Sequence, residues 1–163
     1  METRLILYHG SNMDFETVDL SSSRDKRDFG KGFYTTTLRE QARDWAAIFF
    51  DRYKGDGIFV YEMELELSSG VSIKSYEGLS EEWLLMVQKN RILGGIQHTY
   101  DIVQGPVAND KTTRTIALYM AGIITAEDAI KRLQFNQLNN QVSLHTHAAI
   151  SHLKMTGKHK YEE

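Results

Sequence analysis

Apolar and polar positions alternate along residues 58–67, with Tyr, Met and Leu at odd positions from 61 and Glu at even positions. A period of two predicts a half-buried strand with one solvated face. Shorter apolar or β-branched runs predict further strands at 4–8, 33–36, 100–103 and 141–145, with some strand at 15–20.

The period lengthens after Thr37, where apolar residues recur every three or four positions as far as Tyr53 and predict a helix with one buried face. Thr37 and Glu40 have the spacing of a capping box, so we expect the threonine to cap this helix. Ser80 precedes two glutamates and predicts the start of a second helix. Further helices are predicted at 113–120, 125–133 and 148–153. Strands interspersed irregularly with helices favour a mixed α/β or α+β domain.

The chain has 163 residues, which predicts one domain over 1–156 and a charged tail at 157–163 that we expect to fray. It has no cysteine, which excludes a disulfide framework, a thiol nucleophile and a cysteine-ligated metal. A net charge of −3 argues against non-specific nucleic-acid binding. There is no apolar run of about 18 residues and no basic segment followed by a long apolar one. We therefore expect a cytoplasmic protein with no membrane partner.

A first cluster of candidate residues is Tyr8-His9-Gly10-Ser11. A histidine just past a strand and before a glycine places an imidazole beside backbone that no side chain covers. This arrangement suits a ligand that needs a side-chain hydrogen bond and main-chain contacts. A strand-end histidine with a turn glycine explains the same pattern.

Two further clusters follow along the chain. Gly30-Lys31-Gly32 precedes Phe33-Tyr34-Thr35-Thr36. Because glycines have no side chain to crowd the neighbouring space, an aromatic residue after them can lie flat against the planar ring of a ligand. A hairpin turn before a strand explains the two glycines equally well. Asn139-Asn140-Gln141 precedes an apolar run, and a polar loop entering a strand is the simpler explanation of that pattern.

In this order and over this length, the three clusters resemble the three-part signature of the ADP-ribosyltransferase superfamily, in its His-Tyr-Glu branch. More narrowly, the run from Leu7 to Trp45 resembles the bacterial DUF3990 family, a domain family of unknown function placed in that superfamily. The motifs that carry the resemblance are Leu7-Tyr8-His9-Gly10-Ser11, Asp28-Phe29-Gly30-Lys31-Gly32-Phe33-Tyr34-Thr35-Thr36, Gln41-Ala42-Arg43-Asp44-Trp45, Tyr100-Asp101-Ile102-Val103, Gly105-Pro106-Val107-Ala108-Asn109-Asp110 and Asn140-Gln141.

The resemblance implies an α+β fold of two small, mostly antiparallel sheets that clasp NAD, the co-substrate, with helices outside. It implies that His9 bonds a ribose hydroxyl, that the Gly10 backbone pairs with the nicotinamide amide and that Tyr34 stacks on the nicotinamide ring. We expect the NAD site to be completed by Ser11, Arg27, Gly32 and Thr35.

The third motif of that superfamily usually supplies a glutamate that stabilises an oxocarbenium-like transition state, and this sequence has Gln141 there. A carboxylate about 4 Å from a developing cation contributes about 4 kcal/mol at an effective dielectric constant of 20. That is nearly three powers of ten in rate. Three outcomes stay open: a slow enzyme, a substitute carboxylate from Asp28 or Asp110, or NAD binding without catalysis.

The predicted function is cleavage of NAD at the nicotinamide–ribose bond and transfer of ADP-ribose to a protein or nucleic-acid acceptor. Small members of such families are often toxins, which would make an antitoxin or immunity protein a partner. The alternatives are a non-catalytic NAD- or ADP-ribose-binding module and an NAD glycohydrolase.

Other polar or aromatic residues allow two interpretations. The run Arg24-Asp25-Lys26-Arg27 is either a clamp on the NAD diphosphate or a target phosphate, or a solvated loop of mixed charge. His145 and His147 would need a third ligand to bind a metal, and none is found in the sequence, so we predict no metal site. Trp45 and Trp83 lie on apolar helix faces and are predicted to be core residues.

Overall fold

The computed structural model describes residues 3–67, 70–78, 80–107, 110–133 and 140–163. Within them seven strands form: β1 (Thr3–Ser11), β2 (Phe33–Thr35), β3 (Ile58–Leu67), β4 (Ile73–Ser75), β5 (Ile102–Gly105), β6 (Gln141–Leu144) and β7 (Leu153–Tyr161). The helices are α1 (Arg39–Tyr53), α2 (Glu81–Leu93), α3 (Asp110–Met120), α4 (Ala126–Leu133) and α5 (His147–Ile150).

The strands form two sheets, one of three strands in the order β1-β3-β7 and one of four in the order β2-β6-β5-β4. Every pairing is antiparallel except that of β4 with β5. An isolated bridge between Tyr8 and Thr36 joins the sheets, with backbone hydrogen bonds of 2.7 and 2.9 Å. The predicted α+β class with two mostly antiparallel sheets is confirmed.

The two sheets enclose one hydrophobic core. The alternation predicted for residues 58–67 is confirmed, since β3 turns Tyr61, Met63 and Leu65 to this core, each fully buried. The four-stranded sheet contributes Phe33 and Leu144, which lie opposite each other on β2 and β6. Because side chains alternate along a strand, Tyr34 projects from the other face of its sheet.

That other face carries a second core against the helices. Tyr34 and Val103 of the sheet pack with Trp83 of α2, Ile116 of α3 and Ala129 of α4. Trp83 is fully buried, as predicted. The Ser80 hydroxyl accepts a hydrogen bond from the Trp83 amide, so the predicted cap of α2 is confirmed.

The start of α1 differs from the prediction. Leu38, not Thr37, is the cap residue, and it makes no side-chain cap bond. The Thr37 hydroxyl instead accepts from the Asn140 side chain at 2.7 Å, while Thr36 accepts from the Leu38 amide. The capping-box prediction is wrong because a tertiary contact uses the threonine.

The end of the chain also differs. The segment predicted as a helix at 148–153 is helical only over His147–Ile150, and residues from Gly157 do not fray but continue β7 to Tyr161 along β3. The prediction of a frayed tail is wrong because pairing with β3, about 95 residues earlier, supplies hydrogen bonds that charge composition does not reveal. Residues 15–20 form no strand, and a short 3₁₀ turn follows at Leu20–Ser22.

Candidate functional site

A cavity of about 470 Å³ opens beside the end of β1, within the size range typical of small-molecule sites. It lies between that strand, the segment that follows it, the start of β2 and one face of α1. Its wall is formed by residues 9–15, 17–19, 22–24, 27, 32–34, 45 and 49. His9 and Tyr34, 25 positions apart in sequence, therefore face one space.

The His9 imidazole is fixed by aromatic rings and by one hydrogen bond. It stacks on Phe33 with ring centres 4.1 Å apart and meets the edge of Phe15 at 5.8 Å. Its Nδ1 lies 2.6 Å from the Tyr34 carbonyl oxygen. Burial lowers the pKa of His9 to about 4, so the ring is neutral at neutral pH. A carbonyl can only accept, so Nδ1 carries the proton and Nε2 is left as a hydrogen-bond acceptor.

Tyr34 belongs to the cavity wall, and its hydroxyl is bound to backbone groups. The hydroxyl donates to the Gly30 carbonyl at 2.6 Å and accepts from the Phe29 amide at 3.0 Å. Burial also raises the pKa of Tyr34, which keeps the phenol neutral. The Arg27 guanidinium lies 4.1 Å from the centre of the ring.

Gly10 offers backbone groups at the edge of β1. The amide and carbonyl of Tyr8 both bond Thr36, and residues two apart in a strand direct these groups to the same side. Those of Gly10 therefore point away from β3, towards the same edge. A Cβ at Gly10 would lie 1.9 Å from the Ala42 carbonyl oxygen, so glycine is also required for α1 to pack there.

The other predicted NAD-binding residues divide into two groups. Ser11 and Gly32 lie on the cavity wall. The Ser11 hydroxyl accepts from the Met13 amide, and a Cβ at Gly32 would lie 2.7 Å from the Leu144 carbonyl oxygen. Thr35 is fully buried, donates to the Val142 carbonyl at 2.8 Å and lies off the described cavity wall.

Gln141 is buried behind the site, and the described part of the wall does not include it. Its side-chain amide donates to Asp28 at 3.0 Å and to the Pro106 carbonyl at 3.2 Å. Asp28 is also buried and forms an ion pair with Arg91 at 2.6 Å. Of the two substitute carboxylates proposed from sequence, Asp28 is thus engaged away from the cavity. Asp110 begins α3, and its side chain lies outside the described part of the structure.

Two aspartates do reach the cavity wall. Asp14 forms an ion pair with Lys158 at 2.5 Å. Asp19 accepts from the hydroxyl and the amide of Ser21, and these hydrogen bonds lower its pKa. Both carboxylates are therefore held by groups of the loop and of β7.

The two histidines considered as metal ligands do not converge. His145 is buried, with Nε2 2.7 Å from the Ser143 hydroxyl and Nδ1 2.7 Å from the Lys31 carbonyl, whereas His147 is exposed at the start of α5. Among the described residues, no three His, Asp or Glu side chains lie close enough to hold a metal ion. In the same part of the chain, no helix is both long and apolar enough to cross a membrane.

Sequence reasoning missed several aromatic residues of the site. Trp45 is not a core residue as predicted: it is half-buried and lines the cavity with Phe49, one helical turn further along α1. The four-residue spacing placed these two side chains on one face, but it could not say that this face meets a cavity. Phe15 lies in an irregular segment, where no periodicity could identify it.

Comparison with protein families assigns the chain. A family model described as "Protein of unknown function (DUF3990)" matches residues 5–155, so the chain belongs to this family. The match covers every residue of the cavity wall and the whole four-stranded sheet, and it ends within β7. No curated protein is similar enough to match the chain.

Proposed function

We propose that this protein is an ADP-ribosyltransferase-type enzyme that cleaves NAD at the nicotinamide–ribose bond and transfers ADP-ribose to a macromolecule. The observation that carries the proposal is the convergence of His9 and Tyr34 on one cavity, joined by a 2.6 Å hydrogen bond from imidazole to carbonyl. The two-sheet α+β architecture is consistent with the fold that this superfamily implies.

The chemistry of the wall fits the parts of NAD. His9 has its neutral Nε2 available to accept from a ribose hydroxyl, because Nδ1 is committed to Tyr34. At Gly10, the edge amide and carbonyl match the carbonyl and amino groups of a carboxamide. The face of Tyr34 already holds a planar cation, Arg27, and the nicotinamide ring of oxidised NAD is also a planar cation.

In the proposed reaction the C1′–N bond breaks with both electrons going to nicotinamide, which leaves as a neutral molecule. The acceptor nucleophile then bonds C1′ and loses its proton. Gln141 lies off the described cavity wall, and its NH₂ group donates to Asp28 and Pro106, so the third motif presents no carboxylate to the developing positive charge. We therefore expect turnover slower by about three powers of ten than in an enzyme whose carboxylate contacts that charge.

The test is release of nicotinamide from NAD by the purified chain, together with transfer of adenine-labelled NAD to components of a cell lysate. His9→Gln should abolish both signals, and Tyr34→Ala should do so if it folds. His159→Gln is the matched control, since His159 is exposed on β7, outside the cavity wall. NAD that neither binds nor reacts would refute the proposal.

A non-catalytic NAD- or ADP-ribose-binding module is the second candidate, and the buried hydrogen bonds of Gln141 favour it. Calorimetric binding of NAD without any nicotinamide release would establish that function instead. A glycohydrolase would release free ADP-ribose and label no acceptor. Growth arrest on expression, lost in His9→Gln, would support a toxin role with an antitoxin or immunity partner.

A further inference from the structure

Two guanidinium groups on the cavity wall are held by aromatic rings. The Arg24 guanidinium carbon lies 4.3 Å from the ring centres of both Phe49 and Tyr53, and that of Arg27 lies 4.1 Å from the Tyr34 ring. Among the ion pairs of the described residues, none joins either arginine to a carboxylate. Both positive charges therefore face the cavity without a described acidic partner.

The acidic residues of the same sequence run are turned away from the cavity. Asp25 accepts from the Gly95 amide at 2.6 Å, and Asp28 is paired with Arg91. From the sequence, this run is either a clamp on the NAD diphosphate or a target phosphate, or a solvated loop of mixed charge. The fold separates the two signs, because it commits the acids to the α2 side and leaves Arg24 and Arg27 on the wall.

The carboxylates that line the cavity are also bonded to groups other than Arg24 and Arg27. Asp14 is paired with Lys158, and Asp19 caps the 3₁₀ turn through Ser21. The separation has an energetic cost, because burial and, to a smaller extent, the neighbouring charge of Arg27 lower the pKa of Arg24. An anion between the two arginines would relieve this repulsion.

The position of the arginines also fits a dinucleotide. Arg27 lies against Tyr34, where the nicotinamide ring is proposed to stack, and Arg24 lies against Phe49, which with Trp45 forms an aromatic wall suited to adenine. In a dinucleotide the diphosphate lies between the two rings, and two guanidinium forks match its two phosphates in charge and geometry.

We propose that Arg24 and Arg27 form a binding site for the diphosphate group of a dinucleotide. The identity of the dinucleotide rests on the proposed function, whereas the anion chemistry can be tested without turnover. The probes are inorganic pyrophosphate, ADP and inorganic phosphate, each titrated into the purified full chain by calorimetry.

Arg24→Gln and Arg27→Gln should each weaken pyrophosphate and ADP binding by roughly ten- to a hundredfold, since each removes charge-assisted hydrogen bonds. Arg43→Gln is the matched control, because its guanidinium stacks on Tyr161 at 4.4 Å, off the cavity wall, and the variant loses the same charge. Arg24→Lys and Arg27→Lys, with circular dichroism, separate loss of the anion contact from loss of folding.

Unchanged ADP affinity in the folded double Gln variant, or no binding of pyrophosphate and ADP to the wild-type chain, would overturn the proposal. Inorganic phosphate binding as tightly as pyrophosphate would overturn the diphosphate assignment in favour of a single-phosphate site. The outcomes also separate this site from the proposed function. Arginine-dependent ADP binding without nicotinamide release refutes only the enzyme, and nicotinamide release with unchanged arginine variants refutes only the diphosphate site.

Discussion

The guanidinium of Arg27 covers the ring of Tyr34, at 4.1 Å from its centre. Both residues belong to the cavity wall, and the Tyr34 hydroxyl is bound to Gly30 and Phe29, so the ring is the part of this side chain left to contact a ligand. A nicotinamide ring stacking on that face would have to displace Arg27. If a bound diphosphate draws Arg27 away from the ring, the ring becomes free for nicotinamide. The diphosphate and the nicotinamide of a dinucleotide then strengthen each other's binding, because both require Arg27 to leave the ring.

We therefore predict that ADP strengthens the binding of free nicotinamide. A cation–π contact is worth about 0.5–2 kcal/mol, so saturating ADP should lower the nicotinamide dissociation constant by about two- to thirtyfold. Because coupling is reciprocal, nicotinamide should tighten ADP binding by the same factor. Calorimetric titration of nicotinamide with and without ADP measures both.

Arg27→Ala should bind nicotinamide more tightly without ADP and should lose the coupling, whereas Arg43→Ala should keep it. A wild-type chain whose nicotinamide affinity does not respond to ADP would show that Arg27 does not obstruct the ring face.

The buried histidines predict an acid-sensitive fold. Burial lowers the pKa of both His9 and His145 from 6.5 to about 4. As the pH falls below 6.5 the unfolded chain binds protons that the folded chain does not, so the free energy of unfolding falls. The loss is about 2 kcal/mol per histidine between pH 6.5 and 5. Urea unfolding at several pH values measures it.

Asp19 and Asp101 do not contribute to this range, because hydrogen bonds lower their pKa values and the stability they supply is lost only as the pH falls below 3.8. His145→Gln should reduce the pH slope, and His159→Gln, at an exposed position, should leave it unchanged. A stability that is constant from pH 7 to 5 would contradict the assignment of neutral buried imidazoles.

Periodicity in the sequence was enough to predict β3, because Tyr61, Met63 and Leu65 are all buried on one face. It also predicted α1, although only Ala42 and Ala46 of its apolar face are fully buried and Tyr53 is exposed. The same reasoning failed for β7, whose partner strand lies far away in sequence and whose charged residues are stabilised there by pairing. Lys158, for example, meets Asp14 only in the folded chain. Local composition cannot predict such contacts.

The site was predictable in part for a similar reason. The family resemblance identified His9 and Tyr34, and the fold brings them together. Their surroundings depend on side-chain contacts that no motif encodes, such as Arg27 on the Tyr34 ring and Gln141 on Asp28, 113 positions away. The placement of Gln141 behind the cavity could not be anticipated from its position in a motif.

We predict that the stability of the fold depends on glycine at position 10, independently of any ligand. In Gly10→Ala the new Cβ would meet the Ala42 carbonyl oxygen at 1.9 Å, and both belong to backbone segments that cannot easily move. We expect a loss of about 3 kcal/mol or more in the free energy of unfolding, measured by urea denaturation. Gly78→Ala is the control, since its Cβ would have no neighbour within 4 Å among the contacts described. Wild-type stability in Gly10→Ala would contradict the packing of α1 on β1.

The last prediction concerns restoring the glutamate of the third motif. In Gln141→Glu, the side chain would lose the NH₂ group that donates to Asp28 and Pro106 and would place a second carboxylate beside Asp28. Like charges at this distance raise the pKa of one carboxyl, and the unpaired buried charge should cost about 3 kcal/mol at pH 8. The variant should therefore be less stable than wild type and no faster in releasing nicotinamide.

The pH dependence of the stability difference between Gln141→Glu and wild type distinguishes a buried charge from a steric misfit of the new side chain. As the pH falls through the raised pKa of the new carboxyl, it becomes protonated and can again donate to Asp28. The difference in unfolding free energy between Gln141→Glu and wild type should then shrink from pH 8 to pH 5.5. Gln104→Glu, an exposed change of the same charge on β5, should show no such dependence. A stability difference that does not vary with pH, or a large gain in nicotinamide release, would mean that position 141 reaches the cavity after all.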